Sequence, residues 1–138
     1  MSKKKASPSA LALMNKQHFE LQDVEPITGK QHEFFANYEA GKSQILSGSA
    51  GTGKTFITLY KAFEEILKAK VNYRRIVIIR SAVATRDIGH LPGTLEEKQA
   101  IYEIPYIGIC NELFGRGDAY TLMKKNGIID FMLTSYVR

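Results

Sequence analysis

The chain has 138 residues, of which 44% are hydrophobic, so it holds enough apolar material for one folded domain and is not a disordered segment. No apolar run approaches the roughly 18 residues of a transmembrane helix, and the start lacks the apolar stretch of a secretory signal. Four of the 19 basic residues and none of the 14 acidic ones lie in the first 17 positions, which leaves 15 against 14 from His18 onward, so the net charge does not argue for a nucleic-acid partner.

The first half of the chain is predicted to be helical around one short strand. Residues 1–17, with three consecutive lysines, are predicted to form a flexible basic tail, and structure is expected to begin near Thr28. Residues 28–31 have capping-box spacing, and aromatic residues after them predict a short helix that ends near Gly41. Residues 43–47 are compatible with a strand. Apolar residues from Thr55 to residue 70 fall at helical spacing, with polar positions such as Lys61 between them.

The second half alternates strands and helices. Residues 76–79 are a continuous β-branched run, which is typical of a strand buried on both faces of a parallel sheet. Residues 94–97 form a second capping box and open a helix that Pro105 is expected to interrupt or end. Asp118 is expected to cap a further helix that stops at Gly127, and residues 128–133 are a candidate third strand. The alternation predicts an α/β fold.

The motif with the most information is the segment 48–55, called here the glycine loop. It fits G-x-x-x-x-G-K-[ST] at every defined position, between a predicted strand and a predicted helix. In such a loop backbone N–H groups converge on phosphate, glycines leave room for it, and the following helix directs its positive end at the anion. Lys54 is expected to bind the β- and γ-phosphates, and Thr55 to ligate Mg²⁺. The predicted nucleotide-binding residues of the loop are Gly48, Ser49, Ala50, Gly51, Thr52, Gly53, Lys54 and Thr55.

Hydrolysis also needs an acidic residue that holds Mg²⁺, typically at the end of an apolar strand. The first predicted strand after the glycine loop ends in Arg80, and no apolar strand runs directly into Asp87. Asp130 lies within the last predicted strand, and we interpret it as a solvated strand residue. The sequence therefore predicts nucleotide binding without identifying a residue for hydrolysis.

The single cysteine, Cys110, cannot form an internal disulfide, and this predicts a reducing, cytoplasmic location. With no histidine near it in the sequence, it is interpreted as a small buried hydrophobic residue rather than a nucleophile. His90 is interpreted as a plain loop residue, and no group of His, Cys, Asp and Glu has metal-ligand spacing.

Three segments of the sequence occur together: the glycine loop, IIRSAV at residues 78–83, and LPGTLEEK at residues 91–98. This combination resembles the PhoH-like family of P-loop ATPases, whose sequence motifs at the second and third segments are similar to RPAV and to LPG followed by EK. The resemblance runs from about residue 27 to the last residue. Ser81 stands where the family usually has proline, and the acidic strand expected after residues 134–138 is missing. We interpret the chain as an N-terminal fragment of a longer protein, with a naturally short relative as the alternative.

The resemblance implies a RecA-like parallel sheet, incomplete here, with ATP and Mg²⁺ as cofactors and ATP hydrolysis by the full-length protein. In helicase relatives of this fold, a glutamine on the helix before the glycine loop recognises adenine. Gln31, 17 residues before Gly48, stands at a matching place. A carboxamide can donate and accept at once, which suits the N6 and N7 edge of adenine. The alternative is that Gln31 only completes the capping box with Thr28.

The resemblance also implies that the loop after the second strand touches a nucleic-acid backbone, with Arg80, Thr85 and Arg86 as candidate contacts to single-stranded RNA. The alternative is that Arg80 pairs with an acid from the following loop or helix. Two other functions stay open, namely a non-hydrolysing ATP-gated binding or assembly module and a small nucleotide or metabolite kinase. For a kinase only Arg116, between two glycines, is suggestive of a lid. The sequence leaves the oligomeric state open.

Overall fold

A computed structural model describes residues 12, 14, 18–68, 73–81 and 95–134, and the chain divides into two compact units, Met1–Tyr73 and Arg74–Arg138. The predicted N-terminal tail lies outside the described residues except for Ala12 and Met14, which are helical. Met14 and Phe19 are buried, so the ordered structure begins before the predicted start near Thr28. Among the described residues, no helix combines the length and the apolar character needed to cross a membrane.

The first unit contains helix α1 (Gly29–Glu39) and helix α2 (Lys54–Ile66). As predicted, Thr28 caps α1, and its hydroxyl accepts a hydrogen bond from the Gln31 N–H at 3.2 Å. The chain leaves α1 through Gly41, whose φ of 77° lies in the left-handed region that favours glycine. Helix α2 begins within one residue of its predicted start because the apolar periodicity and the glycine before it are local signals.

The predicted strand at residues 43–47 is wrong, because this segment belongs to no strand and the Ile45 side chain is 98% exposed. A strand requires a hydrogen-bonded neighbour, and the described residues provide none for this segment. Its recorded side-chain hydrogen bond runs instead from Gln44 Nε2 to the Phe34 carbonyl of α1, at 3.1 Å. A short apolar run is therefore not enough to predict a strand.

Lys61 is the main departure within α2, because the sequence placed it on the polar face and the structure buries it to 2% exposure. Its ammonium lies 2.6 Å from Glu64, 3.2 Å from Glu39 and 4.9 Å from the centre of the Phe35 ring. Burial alone would lower the pKa of Lys61, but the hydrogen bonds to Glu64 and Glu39 outweigh it and raise the pKa. Lys61 therefore stays charged and links α2 to α1.

The second unit contains strands β1 (Ile76–Arg80) and β2 (Ile129–Leu133) and helices α3 (Leu95–Phe114) and α4 (Ala119–Lys125). The strands pair in parallel, with Ile76 opposite Ile129. This pairing confirms the predicted α/β class and the parallel sheet, because parallel neighbours need a crossover, here through the helices.

The two faces of this sheet differ in exposure. Ile78 of β1 and Phe131 of β2 are buried on one face, whereas Val77 and Ile79 on the other face are 41% and 55% exposed. The prediction that β1 is buried on both faces is therefore wrong for the described residues. A run of β-branched residues favours a strand. Whether each face of that strand is buried depends on helices and strands that are distant in the sequence.

Helix α3 continues through Pro105, so the expectation that this proline interrupts or ends the helix is wrong. A proline inside a helix leaves the carbonyl four residues earlier without its N–H partner. Here that carbonyl belongs to Ile101, and both Ile101 and Pro105 are exposed, so water can hydrate it. The second capping box begins outside the described residues.

Helix α3 is joined to α4 by a buried carboxylate, that of Glu103. The carboxylate accepts hydrogen bonds from the Tyr120 hydroxyl at 2.5 Å and from Lys124 Nζ at 2.8 Å. Burial alone would raise the pKa of Glu103, but the hydrogen bonds from Lys124 and Tyr120 outweigh it and lower the pKa. Glu103 is therefore ionised at neutral pH.

Two further predictions for the second unit concern Asp118, which is confirmed only in its position at the start of the helix, and Cys110, which is confirmed as buried. Asp118 is the N-cap residue of α4, although its carboxylate pairs with Arg116 at 2.9 Å instead of capping the helix, and Gly127 follows the helix with a φ of 75°. Cys110 on α3 is 0% exposed, and burial raises its pKa to about 12, so the thiol is an inert core group as predicted.

Candidate functional site

The backbone of the glycine loop leads directly into α2. Gly51 and Gly53 have φ values of 80° and 84°, in the left-handed region where other residues are strained, and Gly53 is the N-cap of α2. A Cβ at Gly51 would meet nothing within 4 Å, so its glycine is required by the backbone conformation rather than by crowding. The glycines of the motif therefore shape a tight turn in front of the helix.

The ammonium of Lys54 lies inside this turn. Its Nζ donates to the carbonyls of Gly48 and Ser49, each at 2.8 Å, and lies 3.4 Å from Thr52 Oγ1. Among the described residues no carboxylate forms an ion pair with Lys54. The described groups that hold its charge are neutral dipoles, so an arriving anion would meet a positive charge that these groups do not compensate.

The first turn of α2 adds to this positive potential. Gly53 has no side chain to cap the helix, and among the described residues no side-chain oxygen accepts from the N–H groups of the first turn. These groups and the helix dipole both favour an anion at this end. Thr55 is exposed at the second position of α2, and a hydroxyl there fits the hard oxygen ligands that Mg²⁺ prefers.

Gln31 lies beside the glycine loop. Its Oε1 accepts a hydrogen bond from the Ile27 N–H at 2.7 Å, and a Cβ at Gly53 would lie 3.9 Å from Gln31 Nε2. The structure thus confirms the capping role of Gln31, although the donor is the N–H of Ile27 rather than that of Thr28. The same contacts direct the amide NH₂ group toward the loop.

A cleft of about 590 Å³ joins Gln31 to the glycine loop, which is within the range of small-ligand sites. One wall is polar and consists of Gln31 and loop residues, whereas Phe34, Leu46 and Ile57 supply apolar surface. None of these three residues is predicted from the sequence to belong to a site. Phe34 could have been found, because it follows Gln31 by three residues and so lies on the same side of a helix.

Asp130 is the acidic residue of the second unit that the sequence brings closest to the role of a metal ligand. Asp130 lies inside β2 opposite Val77, is 37% exposed and has Arg75 at 4.0 Å, which agrees with its interpretation as a strand residue. In the part of the chain that the structure describes, no cluster of His, Cys, Asp and Glu could hold a metal ion.

Arg80, at the end of β1, contacts aromatic rings. Its guanidinium lies 5.3 Å from the Tyr102 ring and 6.0 Å from the Tyr106 ring, and it donates to the Tyr102 carbonyl at 3.4 Å. The loop after β1 lies outside the described residues, so the alternative in which Arg80 pairs with an acid from that loop or from the following helix stays a prediction. The other predicted nucleic-acid and loop residues, Thr85, Arg86, Asp87 and His90, lie outside the described residues.

Comparison with known proteins links the chain to one family. The sequence profile of the family described as PhoH-like protein matches residues 23–138. The chain is 31% identical over 109 residues to the PhoH-like protein of Bacillus subtilis (strain 168), an alignment that covers 78% of this chain and 33% of that protein. It is 30% identical over 121 residues to Protein PhoH of Escherichia coli (strain K12), covering 84% and 34% of the two chains.

A third relative gives the same relation of lengths. The PhoH-like protein of Mycobacterium leprae (strain TN) is 32% identical over 118 residues, which cover 83% of this chain and 32% of the relative. The chain thus spans about a third of the length of the curated relatives it matches. No solved structure matches it significantly.

Proposed function

Since this chain belongs to the family of PhoH-like proteins, we propose that it binds ATP in the cleft between α1 and the glycine loop. The observation that carries the proposal is the Lys54 ammonium, whose partners in the described part of the chain are loop carbonyls and a hydroxyl at the open N-terminus of α2. An uncompensated charge, a helix dipole and a glycine turn favour a polyphosphate over a neutral ligand.

In this proposal the residues divide by the part of the nucleotide they meet. Lys54 neutralises the β- and γ-phosphates, and the N–H groups of residues 51–55 surround them. Mg²⁺, held by the Thr55 hydroxyl, would neutralise phosphate charge when bound. Phe34, Leu46 and Ile57 offer apolar surface to the base and sugar.

Gln31 would recognise the base. The Ile27 N–H occupies one lone pair of Oε1, and this fixes which end of the amide carries oxygen. A second lone pair remains for the adenine N6 amino group, and Nε2 can donate to N7. The cap and the base contact are therefore compatible, because the cap orients the amide for the base.

ATP hydrolysis and coupling to RNA through Arg80, Thr85 and Arg86 belong to the proposal only for a chain that also supplies a metal-holding acid. The RecA-like arrangement implied by the resemblance is likewise proposed, with support from the parallel pairing of β1 and β2. An ATP-gated binding module is the second candidate, favoured by Asp130 lying within β2 instead of at its end. The kinase alternative loses its one suggestive residue, because Arg116 pairs with Asp118.

Titration with a fluorescent ATP analogue tests nucleotide binding. Lys54→Ala should weaken binding about 10- to 100-fold, because charge-assisted hydrogen bonds contribute about 1.5–3 kcal/mol. Lys68→Ala, which removes the same charge from an exposed position just after α2, is the matched control and should bind as the unmodified chain does. Equal affinities of the folded Lys54→Ala variant and the unmodified chain would disprove the assignment.

Steady-state phosphate release tests whether the 138-residue chain hydrolyses ATP by itself. The 138-residue chain should bind Mg²⁺–ATP and release phosphate no faster than its Lys54→Ala variant. Robust release that is lost in Asp130→Asn would instead make Asp130 the metal-holding acid and the chain an ATPase by itself.

A further inference from the structure

We propose that Thr52 is a positioning residue for Lys54, a role that rests on the proposed nucleotide function. Its hydroxyl directs the Ser49 carbonyl into the glycine loop and holds the third N–H of the ammonium until a phosphate oxygen replaces it.

The direction of the Thr52 hydroxyl follows from its partners. It donates its only hydrogen to the Ser49 carbonyl at 2.9 Å, so a lone pair is left to face Lys54 Nζ at 3.4 Å. The Ser49 carbonyl in turn accepts from both side chains. Thr52, Ser49 and Lys54 therefore form a closed triangle of polar contacts.

The three ammonium contacts of Lys54 are unequal. Those to Gly48 and Ser49 are 2.8 Å, whereas the contact to Thr52 Oγ1 is 3.4 Å, longer than the about 3.2 Å limit of a good N–H···O bond. The Thr52 contact is thus the weakest and the first that an anion can replace. The two short bonds then keep the ammonium in position while the third N–H turns to the phosphate.

Neither backbone conformation nor burial explains a threonine at this position. Thr52 is exposed, and among the described non-glycine residues only His18 has a positive φ. A residue of another type could therefore adopt the same backbone without strain. What the side chain contributes is its hydroxyl, through the contacts to Ser49 and Lys54.

Three substitutions separate the hydroxyl from the shape of the side chain. Thr52→Val keeps the shape and removes the hydroxyl, and it should weaken binding of the fluorescent ATP analogue about five- to tenfold. Thr52→Ser keeps the hydroxyl and should restore affinity to within about twofold of the unmodified chain. The matched control is Thr58→Val, because the Thr58 hydroxyl bonds the Lys54 backbone carbonyl at 2.7 Å and not the ammonium. This control should not change affinity.

A double-mutant cycle shows whether Thr52 acts through Lys54. In the Lys54→Ala background, Thr52→Val should cause no further loss, because the ammonium it positions is absent. Losses that add in the double variant would overturn the proposal, since they would mean that Thr52 shapes the loop or contacts nucleotide independently.

A measurement without nucleotide distinguishes the failure of this proposal from the failure of the proposed function. In protein carrying ¹⁵N-lysine, the Lys54 Nζ chemical shift, assigned by its absence in Lys54→Arg, should be the same in the unmodified chain and in Thr52→Ser, and should change in Thr52→Val. Absence of ATP binding by the unmodified chain would overturn the nucleotide site. Normal ATP binding by Thr52→Val with an unchanged ammonium signal would overturn the role of Thr52 alone.

Discussion

Lys54 and Lys61 lie on the same helix, about two turns apart, and the structure treats their charges in opposite ways. The ammonium of Lys61 is buried against Phe35 and is neutralised by the carboxylates of Glu39 and Glu64. The ammonium of Lys54 meets only carbonyl and hydroxyl oxygens of the glycine loop. The two lysines therefore differ in the partners of their ammonium groups, although they share a residue type and a helix.

The comparison indicates how a structural charge differs from one available to a ligand. Carboxylates compensate the charge of Lys61, so an incoming anion would have to displace ion pairs and enter a buried space. Dipoles orient the charge of Lys54 without cancelling it, and the loop is open to solvent. The groups that accept hydrogen bonds from a lysine ammonium, and not its charge alone, therefore indicate whether it is available to a ligand.

Removal of the buried charge of Lys61 should have the largest effect on stability. Lys61→Ala should lower the free energy of unfolding by about 2–3 kcal/mol, less than the about 3–5 kcal/mol of a fully buried pair, because Glu39 and Glu64 stay partly hydrated. Urea unfolding followed by far-ultraviolet circular dichroism measures this. Lys61→Met keeps the aliphatic stem on Phe35, so the difference between the two variants isolates the packing contribution.

The comparison predicts opposite outcomes for the two lysines. Lys54→Ala should change the free energy of unfolding by less than about 0.5 kcal/mol, because its hydrogen bonds are solvent-accessible. Folded Lys61→Ala should bind the ATP analogue as the unmodified chain does. If Lys54→Ala unfolds as easily as Lys61→Ala, the division into structural and available charge is wrong.

Glu103 extends the comparison to an acidic group in the second unit. Glu103→Gln should lower the free energy of unfolding by about 1–2 kcal/mol at neutral pH, because Lys124 and Tyr120 lose a charged acceptor. The folded-state pKa of Glu103 is lowered, so its stabilising contribution is complete above the unfolded pKa of about 4.3 and is lost as the pH falls through the folded value.

Urea unfolding at neutral pH and at progressively lower pH tests this sign. Below about pH 5 the difference between Glu103→Gln and the unmodified chain should shrink. A difference that stays constant throughout acidification would show that Glu103 acts through shape and not through its charge.

The smallest expected effect is on recognition of the nucleotide base by Gln31, which caps α1 and also lines the cleft. Gln31→Ala should lower affinity for ATP about three- to fivefold and for GTP less, because only adenine offers the matching donor and acceptor. Gln31→Glu keeps the oxygen that accepts from Ile27 and loses the NH₂ group. A carboxylate repels the phosphates of both nucleotides equally, so the ATP-to-GTP ratio is the readout. An unchanged ratio in both variants would leave Gln31 as a cap alone.

The sequence predicted the features that local chemistry determines. The start of α2 follows from a glycine that adopts positive φ at residue 53, and the cap of α1 follows from Thr28 and Gln31, which are three positions apart. The glycine loop is predicted as a site for the same reason, since its residues follow one another along the chain.

Features that depend on distant partners were not predicted. Lys61 reads as a polar surface residue because Glu39 and Phe35 come from another helix. Residues 43–47 are predicted as a strand because their apolar character does not reveal whether another strand lies beside them. Pro105 is predicted to end a helix because the sequence does not reveal that this residue lies on the exposed face of α3.

The buried thiol of Cys110 gives the second unit a built-in kinetic reporter. The chain has no other cysteine, so a thiol-specific disulfide reagent can react only after α3 opens away from its neighbours. When reclosing is faster than modification, the labelling rate measures the free energy of that local opening. The first unit contributes no thiol to the signal, and its state can be followed separately through the bound nucleotide analogue.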